Sequence, residues 1–241
     1  MGPSINFRQC FTLMGLWLLL AVILAALVAL LTAAVVANPV PSQDLATLNW
    51  IRDWDVPGLS AFFTVVSLLT SLKAGLVYGV VGLTGLLIAR QQKTALAFVV
   101  VGAAAAAASF LGDYTLGDMV DRSQPVAGGA VSSYPSGHVF GGTVFFGFLA
   151  FFPIQHRLER RILIPVVMLS VLLIVAVGPA RIHQGSHWPS DVAAGYLLAG
   201  ILLLFLFLLY RRYIETGFGL GLVYSRFFAA VKRARSRNAA R

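Results

Sequence analysis

Six long runs of apolar residues, separated by short polar segments, constrain the fold of this chain more than any other feature. Each run is near or above the ~18–20 residues with which an α-helix crosses a hydrocarbon core of ~30 Å. The runs cover residues 11–37, 58–89, 94–111, 138–154, 162–178 and 191–210. Only 11% of the 241 residues are charged, whereas a soluble domain carries roughly 25%. The sequence therefore predicts an all-α polytopic membrane protein with six transmembrane helices.

The first run has a second interpretation, as a cleaved secretory signal. A signal peptide carries an apolar region of only ~7–15 residues behind a basic start. Here the run is 27 residues long and Arg8 is the only basic residue before it. We therefore expect a retained helix. Cleavage near Ala37 is the alternative, and it would leave the remaining topology unchanged.

Lys and Arg are distributed unequally between the two sides of the predicted bundle. Fourteen of the 18 fall on the side that holds both termini. The opposite side holds Arg52, Arg122 and Arg181, with Lys73 at its border. Because cytoplasmic loops carry the excess of Lys and Arg, we expect both termini in the cytoplasm. All seven aspartates and three of the four histidines then lie in or beside the extracytoplasmic loops.

The chain is predicted to have a six-helix transmembrane domain over residues 1–215 and a basic cytoplasmic tail over residues 216–241. The tail mixes Phe227 and Phe228 with Lys232 and several arginines, which is typical of a segment held at an anionic lipid surface. A net charge of +9 can indicate nucleic-acid binding. The basic residues here separate or follow apolar runs, so we expect membrane lipids and no nucleic acid as partners. A single cysteine, Cys10, excludes an intramolecular disulfide and a Cys-based zinc site.

The first segment with chemical potential is Tyr134-Pro135-Ser136-Gly137-His138, at the start of the fourth predicted helix. Free N–H groups and the positive end of the helix dipole favour an anion at such a position. Ser136 and Gly137 are therefore candidates for holding a phosphate. His138 follows them directly and could donate a proton to the leaving oxygen.

The second segment, residues 180–191, contains Arg181, His187 and Asp191. If a helix begins near Pro189, Asp191 can reach His187, fix its tautomer and make the other ring nitrogen a better nucleophile. The guanidinium of Arg181 suits phosphate oxygens. The pattern predicts that His187 attacks phosphorus to give a phosphohistidine while Arg181 stabilises the developing charge. This scheme requires neither a metal nor another cofactor.

The two segments, PSGH followed by R-x5-H-x3-D at extracytoplasmic helix ends, resemble the type-2 phosphatidic acid phosphatase superfamily. The resemblance implies a six-helix core that hydrolyses lipid phosphates or diphosphates through a phosphohistidine. It also implies substrates such as phosphatidate, phosphatidylglycerophosphate or a polyprenyl diphosphate. The short connections between helices favour a plasma (inner) membrane as the location.

The sequence departs from this family in the upstream motif K-x6-RP, whose basic residues grip the phosphate. Gly117 stands at the lysine position, Gln124 at the arginine position, and Ala180 replaces the usual serine of the later motif. Arg122 could reach the phosphate by another path, and Lys73 could compensate as well. Loss of two charges weakens transition-state stabilisation. A lipid phosphotransferase and a non-hydrolytic protein that binds or translocates lipid phosphates therefore stay open as alternatives.

Two further interpretations concern residues near these motifs. Asp113 and Asp118 could hold a cation together with His183, although acidic loop residues are more often simply solvated. His183 could also contact the substrate or be an ordinary loop residue. Ser136 is a weaker candidate for a nucleophile because it lacks the G-x-S-x-G context.

Overall fold

All the regular structure in the described part of the chain is helical. The computed structural model describes residues 7–88, 90–126, 132–155 and 159–209. Its helices are α1 (Phe7–Ala37), α2 (Ser42–Arg52), α3 (Leu59–Leu69), α4 (Leu72–Ile88), α5 (Gln92–Gly112), α6 (Asp118–Val120), α7 (Gly137–Gln155), α8 (Arg160–His183) and α9 (Pro189–Leu209). A π-helical turn, Asp113–Gly117, joins α5 to α6. The predicted tail, residues 216–241, lies outside the described residues.

Five of the described helical stretches are long and apolar enough to cross a membrane. They are α1, α7, α8, α9 and the continuous stretch that runs from α5 to the end of α6. A sixth span results if α3 and α4, which meet at an angle of 53°, are counted together. The prediction of an all-α polytopic membrane protein is thus confirmed. Its second predicted helix, residues 58–89, is two helices instead of one.

Hydroxyl side chains explain why this span breaks between α3 and α4. Thr70 Oγ donates to the Val66 carbonyl and Ser71 Oγ donates to the Leu68 carbonyl, 2.9 and 2.7 Å away. Such bonds compete with the regular helical pattern and bend helices. Ser71 Oγ also accepts the Ala74 N–H at 3.2 Å, which caps the start of α4.

The polar loop predicted over residues 38–57 contains a helix, α2. Asp44 lies in its first turn and Arg52 in its last, and both charges match the helix dipole. Leu48 and Ile51 are buried in the same apolar cluster as residues of α3, α7 and α8. The helix was missed because it is short and its apolar stripe contains few residues.

Small residues bring the starts of α7 and α9 together. A Cβ added to Gly195 of α9 would lie 2.9 Å from the Ser136 carbonyl oxygen, just before α7. A Cβ added to Gly178 of α8 would lie 2.8 Å from the Tyr196 hydroxyl of α9. Glycine at both positions therefore permits close helix approach. One end of the bundle, called the motif end below, gathers the start of α7, the end of α8 and the start of α9.

Candidate active site

The two predicted motifs touch each other at the motif end. The Ser136 N–H donates to the Asp191 carbonyl oxygen over 3.1 Å. Arg181 and His187 both act electrostatically on His138, which lies one residue inside α7. The fold thus brings together two segments that are about 50 residues apart in sequence, as the family resemblance implies.

The His187 ring is held by a main-chain oxygen. Its Nδ1 lies 2.8 Å from the carbonyl oxygen of Ser133, and the residue is only 7% exposed. A carbonyl can only accept a hydrogen bond, so Nδ1 carries the proton. In the neutral ring, Nε2 then has the free electron pair. Nε2 is therefore the nitrogen available for reaction.

Asp191 does not make the hydrogen bond that the sequence predicted. Its Oδ2 lies 3.7 Å from His187 Nδ1 and instead accepts the Trp188 N–H at 2.8 Å. An acidic side chain in the first turn that reaches back to an N-terminal amide is half of a capping box. Asp191 thus supports the turn that carries His187, and its charge acts on the ring without a direct bond.

Arg122 is also placed differently from the prediction that it contacts phosphate. It is 2% exposed, and its Nη1 donates to Asp191 Oδ1 at 2.9 Å and to Ser190 Oγ at 2.6 Å. Nη2 donates to Asp44 Oδ2, and the guanidinium lies 4.8 Å from the Trp188 ring centre. Two carboxylates thus balance its charge. Phosphate contact would require these bonds to break.

Arg181 has a different environment, because no described carboxylate pairs with it. Its Nη1 donates to Gln184 Oε1 at 3.0 Å, and the same oxygen accepts from Ser67 Oγ at 2.9 Å. Its Nε is buried and has no hydrogen-bond partner among the described residues. Gln184 and Ser67 hold the side chain without neutralising it. The charge of Arg181 therefore stays available to an anion.

Ser136 and Gly137 differ in what they can offer a phosphate. Ser136 is fully buried, and its amide is already bonded to Asp191. Its Oγ is buried without a partner in the described part of the chain. Gly137 is exposed at the first position of α7, where helical amides lack an internal partner. The expectation of two anion-binding amides is therefore reduced to one, that of Gly137.

Tyr134 links the first motif to α1. Its hydroxyl lies 2.8 Å from Thr32 Oγ1, and the side chain is buried. Burial raises the pKa of Tyr134, while the hydrogen bond to Thr32 acts in the opposite direction. The phenol therefore stays protonated and serves as a tether for the loop before α7.

The upstream segment where the family has K-x6-RP packs against this loop. A Cβ added to Gly117, the last residue of the π-helical turn, would lie 3.3 Å from the Tyr134 carbonyl oxygen. A larger residue there would press on the main chain of the motif. Short π-helical turns such as Asp113–Gly117 are frequent at functional sites. Lys73, the other basic candidate, is exposed near the start of α4.

Among the described side chains, no group of ligands supports the alternative of a cation site. Within that part of the chain, no three His, Cys, Asp or Glu residues cluster closely enough to hold a metal ion. His183 packs against Phe63, with ring centres 5.2 Å apart. The side chain of Asp113 is not among the side chains that the structure describes.

Sequence reasoning missed five residues that surround the predicted ones: Ser67, Gln184, Asp44, Ser133 and Ser190. Gln184 follows Arg181 by three positions, a spacing at which side chains on a helix meet, and this signal could have been used. Ser133 acts through its main chain, which leaves no trace in the sequence. Asp44 is far away in sequence and belongs to no motif.

Comparison with known proteins gives the family and the fold of this chain. The family model described as PAP2 superfamily matches residues 14–215. A transmembrane PAP2-type phosphatidylglycerolphosphate phosphatase from Bacillus subtilis aligns with a TM-score of 0.68 at 23% identity, over 80% of this chain and 96% of that one. LpxE from Aquifex aeolicus aligns with a TM-score of 0.50 at 19% identity, over 69% and 96% respectively. No curated protein matches significantly. At these identities, the structural likeness shows the shared fold.

Proposed function

The chain belongs to the PAP2 superfamily, and from that premise we propose that it removes phosphate from a lipid phosphate or diphosphate through a phosphohistidine. The observation that carries the proposal is the bond between His187 Nδ1 and the Ser133 carbonyl oxygen. It leaves Nε2 with the electron pair needed for attack, in a cluster with His138 and Arg181.

In the proposed reaction, His187 Nε2 forms a bond to phosphorus as the bond from phosphorus to the lipid oxygen breaks. His138 gives its proton to that leaving oxygen. A water then attacks the phosphohistidine, His138 takes a proton from this water, and inorganic phosphate leaves while His187 is restored. Arg181 and the Gly137 amide stabilise the negative charge on the transferring group.

We further propose that the motif end faces the extracytoplasmic side of a plasma (inner) membrane. The excess of Lys and Arg on the opposite side supports this orientation. Residues 216–241 would then be a basic segment at the cytoplasmic lipid surface, following a phosphatase domain over residues 1–215. The substrate is a lipid whose headgroup phosphate reaches the membrane–water boundary.

A second candidate function is a non-hydrolytic protein that binds or translocates lipid phosphates. The observation that favours it is the loss of two basic residues of the upstream motif, where Gly117 and Gln124 now stand. A lipid phosphotransferase is a close variant of the leading proposal, with a lipid hydroxyl in the place of water. Both would use the same cluster of His187, His138 and Arg181.

Phosphate release by the purified protein in detergent tests the leading proposal. A panel of lipid mono- and diphosphates is presented with a chelator of divalent metals, to the wild type and to His187→Ala. We expect chelator-insensitive release from at least one lipid and none from His187→Ala. His183→Ala is the matched control, because that ring packs on Phe63, and it should keep most of the activity. Binding without release from any lipid would favour the second candidate.

A further inference from the structure

Asp44, on the short helix α2, reaches the turn that carries the proposed nucleophile. It is only 6% exposed although it lies in a segment predicted as a polar loop. Its Oδ1 accepts the Ser190 N–H at 3.0 Å, and its Oδ2 accepts from Ser190 Oγ and Arg122 Nη2. The carboxylate therefore satisfies a free amide at the start of α9 and carries a charge that suits the helix dipole there.

Arg122 connects Asp44 to both groups that flank His187 Nδ1. Its side chain donates to Asp191, whose carboxylate lies 3.7 Å from that nitrogen. Its main-chain oxygen accepts the Ser133 N–H at 2.7 Å. The carbonyl of Ser133 then holds Nδ1 itself. A shift of Arg122 would displace both contacts at once.

The electrostatics explain why Asp44 is needed for this arrangement. A buried guanidinium is costly unless its charge is paired, and both terminal nitrogens of Arg122 are bonded while its Nε has no partner among the described residues. Asp191 shares its charge between Arg122 and the Trp188 N–H. Asp44 supplies the second carboxylate, and its side chain is 8% exposed against 1% for that of Arg122. It thus fixes the guanidinium in one orientation.

We propose that Asp44 is a positioning residue for His187, acting through Arg122 and Ser190. In this view Arg122 belongs to a buried network, defined as Asp44, Arg122, Ser190 and Asp191, and of these two arginines only Arg181 contacts the phosphate. The inference rests on the proposed function, because it assigns His187 as the nucleophile. Nothing in the two sequence motifs includes Asp44.

The first test compares Asp44→Asn with Asp53→Asn on the same lipid substrate. Both remove one carboxylate charge, but Asp44 is buried in the first turn of α2 whereas Asp53 is exposed just after its last residue. A small misplacement of a reacting group can reduce rate about 100-fold. We expect Asp44→Asn to lower kcat by about 10- to 100-fold with KM changed by less than about 2-fold. Asp53→Asn should behave as the wild type.

The second test measures binding instead of turnover, and it separates a positioning role from direct contact with the phosphate. Orthovanadate, which forms five-coordinate adducts like the transition state, needs a well-placed nucleophile, whereas inorganic phosphate does not. Asp44→Asn and Arg122→Gln should weaken orthovanadate binding and leave phosphate binding unchanged. Arg181→Gln should weaken both. Weakened phosphate binding in Arg122→Gln would overturn the assignment of Arg122 to the network.

A double variant covers the case in which a single variant folds poorly. Breaking a buried ion pair destabilises a protein, whereas replacing both partners is often close to neutral. Asp44→Asn/Arg122→Gln, which leaves only Asp191 unpaired, should therefore melt at a higher temperature than Arg122→Gln, which leaves both carboxylates unpaired, and should stay as slow as the slower single variant. Recovery of wild-type kcat in the double variant would overturn the proposal, because Asp44 would then serve only to neutralise Arg122.

Failure of the proposed function has a different signature. If the wild type binds orthovanadate more tightly than phosphate but hydrolyses no lipid, hydrolysis is excluded and the binding comparison still tests Asp44. Equal orthovanadate affinity in the wild type and in Asp44→Asn would overturn the positioning role, whether or not lipid is hydrolysed.

Discussion

At the scale of single residues, two arginines at the motif end carry the same charge but differ in whether a carboxylate pairs with them. Arg122 is enclosed by Asp44 and Asp191 and is almost fully buried. Arg181 contacts a neutral amide, that of Gln184, and pairs with no carboxylate within the described structure. Because only the second arginine has no balancing carboxylate there, it is the one suited to a phosphate.

Replacement of Arg181 by Gln should therefore affect both binding and chemistry. Loss of one preorganised donor to a developing oxyanion lowers kcat by about 100- to 1,000-fold, and loss of ground-state charge pairing should raise KM too. Steady-state phosphate release at several lipid concentrations measures both. Arg52→Gln, at the exposed end of α2, is the control. An Arg181→Gln variant with wild-type kcat/KM would contradict this role.

The loss of hydrolysis rate on replacing His138 should depend on how much the leaving group needs a proton. His138→Gln should slow hydrolysis of a lipid monophosphate by about 100-fold or more, as loss of a general acid does. Hydrolysis of an aryl phosphate, whose leaving group departs as an anion, should slow much less. Comparison of the two substrates on wild type and variant measures this. An equal loss for both would contradict the role of His138 as the proton donor.

At the scale of helices, the site depends on how closely α7 and α9 approach. Gly195 faces the Ser136 carbonyl oxygen, and this contact joins the ends that carry the two motifs. The sequence predicted most of the membrane-crossing helices, because apolar runs of this length are typical of transmembrane helices. It could not predict the bend at Thr70 and Ser71, since hydroxyl bonds to the main chain compete only weakly with a helix.

Gly195→Ala should disturb this contact, since its Cβ would lie 2.9 Å from a main-chain oxygen that cannot move away freely. Overpacking of this kind costs about 1–3 kcal/mol in the free energy of unfolding, and the motif should shift. Thermal unfolding in detergent and phosphate release measure the two effects. Gly200→Ala is the control on the same helix, where the new Cβ would meet Leu24 at an ordinary 3.6 Å. Equal behaviour of the two variants would contradict the account.

At the scale of the whole molecule, the candidate catalytic side chains lie at one end of the described bundle, and the sequence predicts most Lys and Arg on the opposite side. The reactive side chains gather at the motif end, where α7 and α9 begin and α8 ends. The two sequence motifs pointed to His187, His138 and Arg181, whose catalytic roles stay predictions. The sequence could not identify the partners of Arg122 or the role of Ser133, because those depend on distant segments and on main-chain atoms. The motifs therefore pointed to the candidate reactive groups but not to the residues that support them.

The proposed orientation predicts which residues a membrane-impermeant thiol reagent can reach in intact cells. In a chain with Cys10→Ser, Asp53→Cys should be labelled from outside because α2 lies at the motif end. Arg90→Cys, between α4 and α5, should be labelled only after the cells are permeabilised. The reverse pattern would contradict the orientation.

A phosphate bound to His187 during turnover would be direct evidence for the proposed phosphohistidine. Wild-type protein is mixed with a lipid carrying labelled phosphate, quenched within milliseconds under alkaline conditions, digested and analysed by mass spectrometry. The account predicts an acid-labile phosphate on the peptide that contains His187, and neither this adduct nor phosphate release in His187→Ala. Continued phosphate release by His187→Ala, with no adduct on His187 of the wild type, would contradict it.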